Sequence, residues 1–96
     1  MKIHVLKSWP QYFEALLKGT RTHELRRNDR NFEINDVLEL HEFDPATQDY
    51  TGRTYRYLVT SLTQKNAVCA VSDQALHPDF CILSVRTHNV HAFTDF

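Results

Sequence analysis

Residues 18–30 concentrate side chains whose chemistry suits an anionic ligand. Five of the eleven basic residues lie in this stretch, and only Glu24 and Asp29 oppose them. A local basic patch attracts phosphate or carboxylate groups, even though the whole chain has a formal net charge of −1. Charge alone is equally compatible with a solvated surface. The basic residues are Lys18, Arg21, Arg26, Arg27 and Arg30.

Glu24 and Arg26 lie within residues 20–27, a segment whose pattern is typical of a strand. Side chains two positions apart leave the same face of a strand. The arginine offers a planar fork of donors to a phosphate or a base, and the glutamate could accept from the exocyclic amine of a base. With Arg21 at the start of the strand, the pair predicts a cleft for RNA or a nucleotide. Further basic residues would lie at its rim: Lys18, Arg27 and Arg30.

Other interpretations of the same residues stay open. Glu24 and Arg26 could form an ion pair that steadies the fold and binds nothing. The cleft, or an exposed strand edge, could instead contact a protein partner. The sequence defines neither the base preference nor the oligomeric state.

Three tyrosines are candidates for stacking on nucleobases. Tyr55 and Tyr57 alternate on one face of a predicted strand, where they would form either a platform for single-stranded RNA or, as we expect, part of the core. Tyr50 is placed in a connecting loop over residues 44–52, where an exposed aromatic ring is freer to bind.

We expect no metal and no cofactor. His88 and His91 have the spacing of metal ligands, but no cysteine or carboxylate pattern supports them apart from Asp95. Cys69 and Cys81 are expected to be small buried apolar residues rather than reactive thiols. The chain has only two glycines, too few for a glycine-rich phosphate loop.

A helix is predicted over residues 9–18, directly before the basic segment. Ser8 is a candidate N-terminal cap, Pro10 is tolerated in the first turn, and Gly19 is expected to end the helix with a positive φ. The apolar positions have helical spacing and predict one buried face, made of Trp9, Phe13, Leu16 and Leu17.

Alternating apolar residues predict the strands. Phe32 and Ile34 are expected as apolar anchors before a turn at residues 35–36. One helix between the first and second of five or six strands predicts an α+β, mainly β fold, a small closed or nearly closed barrel. Residues 67–71 fit either a short strand or a helical turn. The strands are predicted near residues 3–5 and over residues 20–27, 37–43, 53–63 and 80–86.

The 96 residues correspond to one small domain, residues 1–96, without a linker or a repeat. Residues 87–96 are aperiodic and are expected to form a loosely held tail. No apolar run approaches the roughly 20 residues that a membrane span needs, and the first residues do not have a signal-peptide pattern. We therefore expect a cytoplasmic protein with reduced cysteines and no membrane partner.

The motif at residues 19–26, Gly-x-Arg-x-x-Glu-x-Arg, follows the predicted helix and resembles the signature of the ASCH domain family. Residues 32–40 resemble the family's apolar-x-apolar-Gly-Asp-x-Leu-x-Leu element, with Asn35 where glycine is usual; asparagine tolerates a positive φ. Three short segments are most similar to those of a small bacterial and phage subgroup of unknown function that is often labelled RNA-binding. They are residues 9–13, 27–30 and 42–45. The resemblance covers residues 2–62.

The resemblance implies a PUA-like barrel and an RNA or nucleotide ligand. Some small ASCH-like proteins are amidohydrolases that act on acetylated cytidine, so a hydrolase or nuclease acting on nucleosides or RNA is the alternative. Their catalytic lysine would fall on Arg21 and their threonine on Glu24. Because an arginine stays protonated near neutral pH, it is a poor base or nucleophile, and we favour binding over catalysis.

Overall fold

The computed structural model describes residues 1–65 and 75–88. The predictions for residues 67–71, for Cys69 and for residues 89–96 lie outside this part of the chain. The predicted order of strands and helix is confirmed within it. The elements are β1 (Ile3–Ser8), α1 (Pro10–Lys18), β2 (His23–Arg27), β3 (Val37–Asp44), β4 (Asp49–Thr63) and β5 (Phe80–Thr87).

The five strands form one sheet in the order β1-β3-β4-β5-β2. β1 pairs with β3 in parallel, and the other neighbours are antiparallel. β1 and β2 are the two edges of the sheet and do not pair with each other. The sheet curls, so the architecture is mainly β with one short helix and is consistent with a small β-barrel.

The core lies on the concave face of this sheet and follows the alternation of the strands. Side chains at every second position point inward. The central strands bury large side chains, and Tyr57 belongs to this core, as predicted for the Tyr55–Tyr57 pair. The inward strand residues are Leu6, Leu38, Leu40, Tyr57, Val59, Cys81, Leu83 and Val85.

The helix packs against β3 through Phe13 and Leu16, which are both buried. The prediction that Trp9 belongs to the same buried face is wrong, since Trp9 is 49% exposed. Trp9 is the N-cap and has extended backbone angles (φ −68°, ψ 151°), so helical spacing does not apply to it. Gly19 ends the helix with φ 78° and donates its N–H to the Leu16 carbonyl, which confirms the predicted left-handed cap.

The prediction that Ser8 caps the helix is also wrong. Ser8 is the last residue of β1, and its side chain is buried. The alternation of β1 turns His4, Leu6 and Ser8 inward, so the Ser8 hydroxyl points away from the first helical N–H groups. The N-cap of α1, Trp9, makes no side-chain capping hydrogen bond.

The connection between β3 and β4 is shorter than predicted. β4 begins at Asp49, so Tyr50 lies in a strand opposite Phe43 and not in a loop. Asp44 accounts for this difference, because its carbonyl accepts the Gln48 N–H at 2.8 Å and its carboxylate accepts the Ala46 N–H at 2.9 Å. These two bonds close a tight turn, and the hairpin pairs immediately beyond it.

The turn before β3 is only partly as predicted. Phe32 is buried, but Ile34 is 54% exposed and anchors nothing. Asn35 has φ 77° and donates its N–H to the Val59 carbonyl at 2.8 Å. The left-handed angle that the sequence predicts at this position is present.

Candidate functional site

The gap between the edge strands β1 and β2, here called the seam, is bridged by arginine side chains. Arg26 Nη2 donates to the Lys7 carbonyl at 2.7 Å, and Arg30 Nη1 donates to the Val5 carbonyl at 3.2 Å. An edge strand presents unpaired backbone groups, and the two arginines satisfy two of them on β1. The basic segment thus joins the two edges of the curled sheet.

Glu24 and Arg26 form a close ion pair on β2. Both Nε and Nη2 of Arg26 lie 2.7 Å from Oε2 of Glu24, and Glu24 is only 4% exposed. The two side chains share a face of the strand, as predicted. Within the described residues, Oε1 of Glu24 has no hydrogen-bond partner. Arg26 therefore engages one carboxylate oxygen of Glu24 and leaves the other without a partner among the described residues.

The main cleft, with a volume of about 340 Å³, opens at one end of the seam. Arg21, Glu24 and Arg26, the three residues predicted to share a cleft, all line it. Arg21 lies with its guanidinium carbon 4.7 Å from the centre of the Tyr12 ring, and its Nε donates to the His23 carbonyl at 2.9 Å. The full lining is Lys7, Ser8, Trp9, Tyr12, Arg21, Glu24, Leu25 and Arg26.

Ser8 places a polar group without a partner in the wall of this cleft. Its side chain is buried, and its Oγ makes no hydrogen bond to any residue that the structure describes. A buried hydroxyl without a partner costs about 1–3 kcal/mol.

A smaller pocket of about 140 Å³, here called the arginine pocket, adjoins the main cleft at Arg26. Arg27 lies with its guanidinium carbon 5.2 Å from the centre of the Phe80 ring. Three arginines and one carboxylate, that of Asp29, line the pocket, so it carries a positive excess. Its lining is Leu6, Arg26, Arg27, Asp29, Arg30 and Phe32.

The structure thus brings five of the six predicted site residues to two adjoining clefts. Lys18, the sixth, ends α1 and lines neither of them. Sequence reasoning missed the five other residues that line the main cleft: Lys7, Ser8, Trp9, Tyr12 and Leu25. The signal for Tyr12 was its position on the exposed side of the helix, about two turns before the basic segment. Nothing local indicated that β1 would face β2.

Tyr57, a core residue, has a raised pKa. Burial, together with the nearby Tyr55 and Glu24, raises the pKa of Tyr57 to about 12. Its hydroxyl has no hydrogen-bond partner among the described residues. Tyr57 is therefore a neutral core residue at physiological pH and offers no proton to the cleft.

The buried pair of His4 and Asp36 belongs to the fold rather than to a site. Asp36 Oδ2 lies 2.8 Å from His4 Nε2, and its carboxylate also accepts the N–H groups of Lys2 and Glu33, each at 3.0 Å. Burial raises the pKa of Asp36, but these hydrogen bonds outweigh it and hold the pKa below its ordinary value. In residues 1–65 and 75–88, no group of three His, Cys, Asp or Glu side chains could hold a metal ion; His91 lies outside them.

The part of the chain described by the structure contains no helix long and apolar enough to cross a membrane.

Comparison with known proteins identifies the family. The family described as "Domain of unknown function (DUF3850)" matches residues 3–85, and this chain belongs to it. The chain is also 39% identical over 62 residues to a protein of Escherichia phage P2 described as "Uncharacterized 12.9 kDa protein in GpA 3'region". The match covers 65% of this chain and 55% of the phage protein, so the chain spans about half the length of that relative.

Proposed function

We propose that this protein binds RNA or a nucleotide, with a base in the main cleft and a phosphate in the arginine pocket. The observation that carries the proposal is Oε1 of the buried Glu24, which has no hydrogen-bond partner among the described residues and belongs to a cleft that two half-exposed aromatic residues, Trp9 and Tyr12, also line. A carboxylate oxygen accepts from a base amine. Aromatic rings stack on a base of any identity.

The arginine pocket supports the phosphate part of the proposal. Arg26 is already held by Glu24 and by the Lys7 carbonyl, so its guanidinium is fixed before a ligand arrives. Arg27 and Arg30 add two further cations within a space of about 140 Å³. Arginine forks bind phosphate oxygens through paired, charge-assisted hydrogen bonds.

We further propose that the family is related to ASCH domains of the PUA-like superfamily. Support comes from the helix between the first two strands, from the left-handed Gly19 that ends it, and from the convergence of Arg21, Glu24 and Arg26 on one cleft. These are the motif residues on which the resemblance rests.

The position of Arg21 favours binding over hydrolysis. Arg21 stands where the amidohydrolases have their lysine, and here it donates to the His23 carbonyl and lies over the Tyr12 ring. A guanidinium held in this way remains a cation and takes no proton from a substrate. It can orient an anionic or planar ligand.

Ligand-induced thermal stabilisation tests the proposal. The parent is mixed at low salt with AMP, CMP, GMP and UMP and with the matching nucleosides, because binding to the folded state raises apparent stability. We expect at least one nucleotide to stabilise it more than its nucleoside. If no nucleotide stabilises the parent, the proposal is rejected, and the ion-pair or protein-partner interpretation replaces it.

Three variants then locate the site. Arg27→Ala should weaken nucleotide binding about tenfold and reduce its salt dependence, since one charged contact to phosphate is lost. Glu24→Gln should change the preference among bases with little effect on salt dependence. Lys18→Ala removes a charge from the same segment but lies on neither cleft, and it should bind like the parent. If Arg27→Ala and Glu24→Gln also bind like the parent, the clefts are not the site.

A further inference from the structure

The outer face of the sheet carries an aromatic cluster beside the main cleft. Phe43 on β3 and Tyr50 on β4 are cross-strand partners whose ring centres lie 5.2 Å apart at an interplanar angle of 73°. The His41 ring lies 6.2 Å from that of Tyr50. These three side chains are called the outer platform below. Tyr50 is 55% exposed, so ring area remains free for a further stacking partner.

Lys7 belongs to both the main cleft and the outer platform. It lines the cleft, and its carbonyl accepts the hydrogen bond from Arg26. Its ammonium lies 4.3 Å from the centre of the Phe43 ring and 5.8 Å from that of Tyr50. The two surfaces are therefore continuous and meet at a cation.

The junction presents one cation, Lys7, to a nucleic-acid backbone. Among the described residues, no carboxylate forms an ion pair with Lys7. In contrast, the neighbouring cation Arg56 is already engaged by Glu39, at 2.9 Å. Lys7 is thus the cation at the junction that is available to a phosphate.

We infer that the ligand is single-stranded RNA that extends beyond the main cleft, with a phosphate on Lys7 and the next base stacked on Tyr50. The inference rests on the proposed function and deepens it, since a mononucleotide would fill the cleft without touching the platform. Proteins that bind single strands combine a cationic track with aromatic rings on which successive bases stack.

The experiment compares ligands of two lengths. Affinities for fluorescein-labelled RNA hexamers of A, C and U are measured by anisotropy, and affinities for AMP, CMP and UMP by calorimetry. Tyr50→Ala should weaken hexamer binding about fivefold or more and leave mononucleotide binding unchanged. Tyr50→Phe keeps the ring and should match the parent. Lys7→Met keeps the backbone carbonyl that Arg26 uses. Because Lys7 also lines the main cleft, this variant should weaken hexamer binding more than mononucleotide binding.

The outcomes separate this inference from the proposed function. If the protein binds mononucleotides but Tyr50→Ala and Lys7→Met bind the hexamers with the affinity of the parent, the inference about the outer platform is rejected. The proposed function of the main cleft then stands. An equal loss for both ligand lengths also overturns the inference about the outer platform, because the platform would then act through the fold. If the parent binds neither ligand, the proposed function fails and the platform fails with it. Urea unfolding of each variant verifies that it is folded. If Tyr50→Ala does not fold, Lys7→Met tests the inference about the outer platform.

Discussion

The side chain of Arg26 donates to the backbone carbonyl of Lys7 at 2.7 Å, although the strands that carry them are opposite edges of the sheet and are not paired. The same guanidinium holds the buried carboxylate of Glu24. Arg26 therefore closes the seam and divides the main cleft from the arginine pocket. One residue serves both the fold and the candidate site.

The first prediction follows from this double role. Arg26→Ala should lower the free energy of unfolding by about 2–3 kcal/mol, because it opens the seam and leaves the Glu24 carboxylate buried without a partner. Urea unfolding measures the change. The double variant Glu24→Gln/Arg26→Ala should be more stable than Arg26→Ala alone, since no buried charge remains. Equal stability of the parent and Arg26→Ala would show that the bridge contributes nothing.

The second prediction concerns the end of the helix. Gly19→Ala should lower stability by about 1 kcal/mol, because an alanine resists the left-handed φ of 78°. A Cβ at this position meets no atom of the other described residues within 4 Å, apart from its chain neighbours, so the cost comes from the left-handed backbone and not from packing against the rest of the protein. Gly19→Asn should cost less, since asparagine tolerates this region. Thermal unfolding of the three proteins checks the order; an alanine variant as stable as the parent contradicts it.

The features that sequence predicted are those set by neighbouring residues. The left-handed positions at Gly19 and Asn35 and the shared face of Glu24 and Arg26 depend only on local conformation. Ser8 shows where local reasoning fails, because it could either cap a helix or complete a strand, and the burial of β1 decides between them. The seam could not be predicted, since it depends on how far a five-stranded sheet curls.

The exposed aromatic residues show a second limit. Trp9 fits the helical spacing of the apolar face, yet it precedes the first helical residue. Tyr50 was predicted to be exposed in a loop; it is exposed, but on a strand, because Asp44 closes a shorter turn than composition indicated. In both cases the sequence pattern assigned the residue to the wrong element, and the exposure was predicted correctly for Tyr50 and wrongly for Trp9.

The third prediction tests the buried carboxylate of Asp36. Asp36→Asn removes an acceptor that serves His4, Lys2 and Glu33, and it should lower stability at pH 7 by about 2 kcal/mol. The folded-state pKa of Asp36 lies below its ordinary value of 3.8. A lowered pKa contributes stability above the unfolded pKa, and the contribution is lost as the pH falls through the folded pKa.

The difference between the parent and Asp36→Asn should therefore shrink as the pH falls below about 3.8. Urea unfolding at pH 7 and at successively lower pH values measures it. Exposed Asp49→Asn is the matched control and should follow the parent throughout. A difference that stays constant with pH would show that the Asp36 charge is not the source of the stability.

The fourth prediction concerns Tyr57 at high pH. Burial, with smaller contributions from Tyr55 and Glu24, raises its folded-state pKa to about 12 from an ordinary value of 10.0. Above pH 10 the unfolded chain loses this proton while the folded protein keeps it, so deprotonation favours unfolding. The stability of the parent should fall as the pH rises from 10 toward 12, with this group contributing up to about 1.4 kcal/mol per pH unit. Tyr57→Phe lacks the group and should lose less stability over the same range. Exposed Tyr12→Phe should follow the parent.

At neutral pH, Tyr57→Phe should match the parent or exceed it by up to about 1 kcal/mol, because the buried hydroxyl has no partner among the described residues. If the stabilities of the parent and Tyr57→Phe fall in parallel above pH 10, the raised pKa of Tyr57 is contradicted. If Tyr57→Phe is clearly less stable than the parent at neutral pH, the hydroxyl of Tyr57 is hydrogen-bonded.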